Sequence, residues 1–263
     1  MQLQFLEAYD RQLRTHPEIA GASNAAAHGP LLMATFPGGR GFVTYAELGD
    51  VDADDVALLV DAAADHFAGR PEVRSVEWKT RGHDRAPGLH DALVARDFVP
   101  EEPESIMIGE ARPLARHVDV PEHVRIRRSR SDADVFAAGE MQGRVFDDPD
   151  WRSRSEELVV HLREDPSAEL WIAVVDDEVI SAGRLEPVAG TEFAGLWGGA
   201  TLPEWRGRGI YRALTAERAR SAIARGVRYL HSDSTEFSRP ILERSGLVKV
   251  STTTPYVWTP VRG

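Results

Sequence analysis

Residues 203–219 read PEWRGRGIYRALTAERA, and the fold turns on how this stretch is read. Arginine and glycine alternate through Arg206-Gly207-Arg208-Gly209, and a helix-like run follows with no break. The glycines cost backbone entropy. The arginines put positive charge at a helix N-terminus, where the macrodipole favours anions. The first amides of a helix lack intrahelical partners, and glycines let a loop approach a ligand with its N–H groups turned inward. A phosphate or pyrophosphate suits such a place. Two phosphate-loop patterns do not fit. A P-loop needs Gly-x-x-x-x-Gly-Lys-Ser/Thr, and no lysine is near. A dinucleotide fingerprint counted from Gly207 needs Gly or Ala at 212, where Arg212 stands.

The rest of the composition narrows the class. The chain has 263 residues, 42% hydrophobic and 28% charged, enough for one large domain or two ordinary ones. No apolar run approaches the ~20 residues that span a bilayer, so no membrane partner is expected. The first residues, MQLQFLEAYDRQLRTHPEIA, lack a basic start and an apolar core, so a cytoplasmic protein without a signal peptide is expected. There is no cysteine, which removes disulfides, thiolate metal sites and a cysteine nucleophile; no metal site is expected. A net charge of −11 argues against nucleic acid as partner. Residues 1–115 carry 19 acidic and 10 basic side chains, net −9, whereas 116–263 carry 23 and 21, net −2. The Arg-Gly loop lies in the less acidic part.

From residue 124 the elements read in order. VRIRR (124–128) predicts a strand, and 131–147 a helix with Ser131 at its N-cap. A helix over about 153–164 follows, then two strands within 168–188 joined at Asp176-Asp177. The stretch 192–202 is a strand interrupted by Gly198-Gly199, a sign of a bulge or close backbone approach. After the loop come a helix to about 225, a strand at 227–233, a short helix over about 237–245 stopped by Gly246, and one or two closing strands. The sum is a mixed sheet with helices on its faces. ARPLARHVDVPEHV (111–124) has two prolines and reads as a linker.

The N-terminal part predicts a helix near 3–14, strands near 31–36 and 41–47, a helix at about 54–67, a strand at 73–79, a helix near 87–95 and a strand near 104–109. The order is roughly that of the second part. Residues 73–99 also resemble 227–250 in strand, proline-started helix and apolar exit. A duplicated architecture and an unrelated α+β domain both fit.

The loop resembles the acyl-CoA loop of the GNAT superfamily of N-acetyltransferases, Arg/Gln-x-x-Gly-x-Gly/Ala. Arg206, Gly207, Arg208, Gly209, Ile210 and Tyr211 fall on its six positions, and 201–205 supply the approach. The stretch 238–250, with Gly246-Leu247, is similar to the family's last helix and its exit. The resemblance implies an α/β (α+β) fold of two GNAT-like domains, each a mixed, mostly antiparallel sheet. It assigns 1–115 to a degenerate domain without a CoA loop, 116–123 to a linker and 124–263 to the transferase domain. It implies acetyl-CoA as acetyl donor, direct attack by a primary amine of a small molecule or peptide in a ternary complex, and oxyanion donors at the amides of Gly199, Ala200 and Thr201. Two residues depart from the pattern: Tyr211 stands at the Gly/Ala position, and Leu242 where many members carry a proton-donating tyrosine. Where the first domain would carry its loop it has LGDVDADDVALL (48–59), whose aspartates oppose a pyrophosphate.

Acyl transfer to an amine needs a base, oxyanion donors and an acid for the thiolate. His231 and Asp233 alternate on one strand and share a face, which makes both candidates; Tyr256 is another. Glu140, Asp147 and Asp148 lie where the family builds an acceptor pocket. Each of these residues also has a plain structural or solvated reading. The alternatives for the whole chain are a CoA-binding sensor or scaffold that has lost the chemistry, or a transferase for another acyl-CoA.

Overall fold

The fold is that of a computed structural model, which describes residues 2–236 and 238–260. The chain opens with α1 (Gln2–Leu13), a 3₁₀ turn (His16–Ile19), β1 (Asn24–His28), β2 (Leu31–Phe36), β3 (Arg40–Tyr45), α2 (Ala53–Ala68) and β4 (Ser75–Arg81). It continues through α3 (Leu89–Ala95), β5 (Val99–Pro100), β6 (Glu104–Glu110) and α4 (Ala111–Leu114). Next come β7 (Arg125–Arg128), α5 (Asp132–Phe146), α6 (Trp151–Glu164), β8 (Glu169–Val175), β9 (Glu178–Pro187) and β10 (Phe193–Thr201). A 3₁₀ turn (Pro203–Trp205), α7 (Ile210–Ala224), β11 (Tyr229–Ser234), α8 (Arg239–Ser245) and β12 (Val248–Trp258) complete it. Phe237, at the edge of the helix predicted over about 237–245, lies outside the described residues.

The chain forms two compact units that are not consecutive halves. The first holds residues 1–107, 233–239 and 249–263, and the second 108–232 and 240–248. The sequence reading divides the chain at 116–123 and keeps everything after it together. The structure differs because β12 pairs with β4, from Thr253↔Arg81 to Trp258↔Val76. Its Tyr256 joins the apolar core of Trp78, Leu93 and Phe98. The expected linker is also partly ordered: it begins with α4, and Ala111 N–H donates to Arg228 O at 2.8 Å.

In the first unit the strands run β1-β2-β3-β4-β12, with β6 next to β12 and β5 paired to β12. Pairs β1–β2, β2–β3 and β4–β12 are antiparallel, and β3–β4 is parallel, with α2 between the two strands in sequence. In the second unit the order is β7-β8-β9-β10-β11. It is antiparallel up to β10, and β10–β11 is parallel, with α7 between them in sequence. Each unit is thus a mixed, mostly antiparallel sheet, as the family resemblance implies, and among the described pairings each holds a parallel pair with a helix between its strands in sequence.

Local chemistry sets the boundaries. Ser131 caps α5, its Oγ accepting from Asp134 N–H at 3.2 Å. Asp176 and Asp177 take φ of 47° and 66° to turn β8 into β9, the two-residue hairpin geometry. Gly246, at φ 110°, ends α8 while Gly246 N–H and Leu247 N–H both donate to Leu242 O at 3.1 Å. The strand β1 has no counterpart in the prediction. Its NAAAH sequence buries no residue and owes its form to an edge pairing with β2.

Candidate active site in the second unit

Residues Val135, Ala138 and Met141 of α5 pack with Ile172, Ile180, Leu202 and Ile210 in one apolar cluster. Ile210 is 1% exposed and fixes the start of α7 in that core, whereas Arg206, Gly207 and Arg208 before it lie exposed. Gly207 and Gly209 take φ of 76° and 79°, left-handed values that side chains disfavour. Gly209 is the N-cap, with no side chain to cap the helix and no acidic residue in the first turn. The first helical bond is Ala213 N–H to Gly209 O, at 2.9 Å. The amides ahead of Ala213 have no intrahelical acceptor. Arg206 Nε donates to Thr201 O at 3.1 Å, and the Arg208 guanidinium lies 4.9 Å from the centre of the Trp205 ring. These contacts fold two arginines back along the loop.

The strand before the loop is opened on one side. β10 pairs with β11 only through Phe193↔Tyr229, Ala194↔Leu230 and Gly195↔His231, although β10 continues to Thr201. Its pairing with β9 breaks between Trp197 and Ala200, where Gly198 takes φ 58°. This is a bulge, and Gln142 of α5 donates to Gly198 O there. Leu202 N–H donates to Ile180 O on β9 at 3.0 Å. Thr201 C=O, trans across the same peptide, faces the opposite way, and in an extended strand the Thr201 N–H faces with it. Thr201 therefore turns a free-edge amide toward the side that β11 has left. Ser181, fully buried, closes the β9 side by donating to Ala200 O at 2.7 Å. Gly199 lies against Tyr211: a Cβ at 199 would fall 2.5 Å from the Tyr211 hydroxyl. The bulky residue at the loop's sixth position is matched by a missing side chain on the strand.

The corresponding place in the first unit is closed. β3 and β4 also stop pairing early, at Val43↔Trp78, while the strands continue to Tyr45 and Arg81. Arg14 donates to Tyr45 O at 2.9 Å and pairs with Asp84 at 2.9 Å. Arg81 pairs with Glu18 and reaches Thr44 Oγ1 at 3.3 Å. Lys79 pairs with Asp233 at 2.8 Å. Burial alone would push the Lys79 ammonium down, but Asp233, Tyr9 and Glu18 outweigh it and hold the pKa well above the usual lysine value. The N-terminus of α2 is occupied too. Asp52 accepts from Asp54 N–H at 3.0 Å and Asp55 N–H at 2.9 Å. A carboxylate of the chain itself takes up the first amides of this helix.

The candidate acid–base residues divide between the units. His231 is 8% exposed, in the last pair before β10 and β11 part, with its ring edge-on to Trp197 at 5.2 Å and Phe193 at 5.9 Å. Asp233 belongs to the first unit's ion pairs with Lys79. Tyr256 lies in the first unit's core and bonds His90 Nδ1 at 2.9 Å. Glu140 is exposed on α5. Asp147 ends that helix at φ 54°, and Asp148 holds the next turn through Asp150 N–H at 3.0 Å and Arg154 at 3.1 Å. Leu242 is 2% exposed on α8. Gln142, Ser181 and the fully buried Arg218 carry no signal in the sequence, because each acquires its role from a strand brought beside it.

Residues 111–232 match the family described as "Acetyltransferase (GNAT) domain". No curated protein matches the chain. Among solved structures, a GCN5-related N-acetyltransferase from Kribbella flavida superposes with TM-score 0.66 at 15% identity, over 99% of this chain and 95% of that one. One from Sphaerobacter thermophilus gives 0.63 at 16%, over 92% and 84%. A tandem GNAT protein from the clavulanic acid biosynthesis pathway gives 0.64 at 13%, over 89% and 79%. Identities this low speak to the fold, and the domain match to the family. Residues 111–232 thus match the GNAT acetyltransferase domain family, and the chain shares its fold with solved GNAT proteins.

Proposed function

We propose that the second unit is an acetyl-CoA-dependent N-acetyltransferase acting on a primary amine of a small molecule or peptide. The observation that carries this reading is the uncapped N-terminus of α7 beside the open edge of β10. The amides of residues 207–211 and the dipole of a 15-residue helix suit a pyrophosphate. Arg206 and Arg208 add charge at the same end. The Thr201 amide, with those of Gly199 and Ala200 as further candidates, offers donors for a thioester oxygen. The bound donor supplies the activated acetyl group, and the chain's part is to orient it, exclude water and donate to the oxyanion.

The first unit, in this reading, is a degenerate tandem partner that binds no CoA. Asp52 at the α2 N-terminus and the ion pairs beyond Val43 support it. The test is free-thiol release from acetyl-CoA by the intact chain with a panel of primary amines. Release above the rate without protein, saturating in acetyl-CoA, is expected. Saturable binding with no release for any amine would replace the enzyme by a CoA-binding sensor or scaffold. Faster release from a longer acyl-CoA would change the donor.

A further inference from the structure

A second set of chemistry-bearing side chains meets in the first unit, away from the edge of β10. Asp10 comes from α1, His83 from the turn after β4 and Ser251 from near the start of β12. Ser251 Oγ lies 2.6 Å from His83 Nδ1, and His83 Nε2 lies 3.0 Å from Asp10 Oδ1. Both distances fall within the reach of a nucleophile and its base, ~2.6–3.2 Å. The carboxylate is itself held, because the buried Arg14 donates to Asp10 Oδ1 at 3.2 Å. Asp84 stands 3.9 Å from His83 Nε2 and pairs with Arg14 at 2.9 Å. The set is open to solvent. The side chains of His83 and Asp10 are 21% and 35% exposed, and Ser251 is half-buried.

The carboxylate decides which ring nitrogen carries the hydrogen. Burial pushes the Asp10 carboxyl up, but His83 and Arg14 outweigh it and hold its pKa below the usual range. An ionised carboxylate only accepts, so His83 Nε2 donates to it and Nδ1 presents a lone pair. The Ser251 hydroxyl donates to that lone pair. The serine therefore has a base for its proton, and the base has a carboxylate to orient it and steady the imidazolium. A donor for an oxyanion stands next to the hydroxyl. Gly82 N–H donates to Thr252 O at 2.9 Å, so Thr252 turns its C=O toward Gly82 and, in an extended strand, its N–H the same way. Among the described residues, no bond returns from Thr252 N–H to Gly82 O. The amide that follows Ser251 is thus free to donate to a ligand oxygen. Gly82 also leaves space in front of the serine, since a Cβ there would stand 3.9 Å from Ser251 Oγ. The room of one missing side chain suits a small acyl group.

We propose that Ser251 is a nucleophile toward carboxylic esters of small acyl groups, with His83 as its general base and Asp10 as the positioning residue. The proposal stands apart from the acyl-CoA reading of the second unit. Ser251 Oγ bonds to the ester carbonyl carbon, and its proton passes to His83 Nδ1. The carbonyl electron pair moves to oxygen, where the Thr252 amide holds it. As the pair returns, the bond from carbon to the leaving alcohol oxygen breaks. That oxygen keeps the bonding electrons and takes the proton from His83. Water then attacks the acyl-serine. Its proton goes to His83 and on to Ser251 Oγ, and the carboxylic acid leaves.

The experiment uses the intact chain, p-nitrophenyl acetate as the ester and a fluorophosphonate as the covalent probe. It compares wild type with Ser251→Ala, His83→Gln, Asp10→Asn and Asp10→Glu, and records the melting midpoint of each. Wild type should release p-nitrophenol with saturation and take up the probe, which peptide mass spectrometry should place on Ser251. Ser251→Ala should melt alongside wild type, take no probe and lose at least about 100-fold in kcat, and His83→Gln should lose about as much. Asp10→Asn should lose at least about tenfold in kcat with KM unchanged, and Asp10→Glu should restore part of it. Wild type that takes no probe at Ser251 overturns the proposal, whatever the variants do. Turnover kept in Ser251→Ala but lost in His83→Gln makes the imidazole alone the nucleophile and overturns it too. Asp10→Asn that lowers the melting midpoint while kcat holds assigns Asp10 to the fold and overturns its part.

Discussion

Gly207→Asp isolates the charge requirement of the loop. A substitution at Gly209 would confound it, because a Cβ there falls 2.9 Å from Asp119 O. At Gly207 nothing lies within 4 Å, and φ is 76°, a left-handed conformation that Asp and Asn tolerate better than other residues. Gly207→Asn then carries the same backbone cost as Gly207→Asp without the charge. Two phosphate charges about 5 Å from the new carboxylate, in a solvent-like dielectric of about 80, repel it by about 1.7 kcal/mol. That corresponds to about 15-fold in Kd at low salt. Screening over a Debye length of ~10 Å at 0.1 M reduces it to about fivefold. Calorimetry with acetyl-CoA at both ionic strengths reads the Asp-to-Asn ratio directly. Equal affinities for the two variants at low salt would refute the placement of a pyrophosphate at this loop.

Other consequences follow from contacts elsewhere. Gly199→Ala should destabilise by about 1–3 kcal/mol through overpacking against the Tyr211 ring. Adding Tyr211→Ala should cost less than the sum of the two single changes, and strict additivity in thermal melts would show that the residues do not touch. Asp84→Ala leaves the buried Arg14 with Asp10 as its remaining counter-ion and should cost about 1–3 kcal/mol in denaturant unfolding; a loss under 1 kcal/mol would mean the pair is solvated. Burial pushes the Glu18 carboxyl up, but Arg81 and Lys79 outweigh it and hold its pKa below the usual range. Its contribution is therefore complete above the unfolded value near 4.3 and lost as pH falls further through the folded value. Glu18→Gln should flatten the acid limb of the stability curve, and an unchanged limb would contradict the assignment.

The loop and its helix were legible in the sequence because their chemistry is local. Glycines at 207 and 209, no acid in the first turn and Ile210 at the start of the apolar face all lie within a few residues. The caps at Ser131 and Gly246 and the Asp176-Asp177 turn were legible for the same reason. β1 was not, since NAAAH has neither alternation nor a buried face and depends on its neighbour. The pairing of β12 was hidden because the pattern of a strand states which faces it has, without naming its partner. His231 and Asp233 do alternate as read, yet the packed chain gives one to aromatic rings and the other to Lys79. Arg218 is one of several arginines on α7, and the room that encloses it comes from Gly183 on a strand distant in sequence.

The most direct test of the account is the structure of the intact chain with acetyl-CoA bound. The account predicts one donor per chain, its pyrophosphate against the amides of residues 207–211 and its thioester oxygen toward the Thr201 amide. A donor at the N-terminus of α2, or one whose pyrophosphate avoids α7, would contradict it.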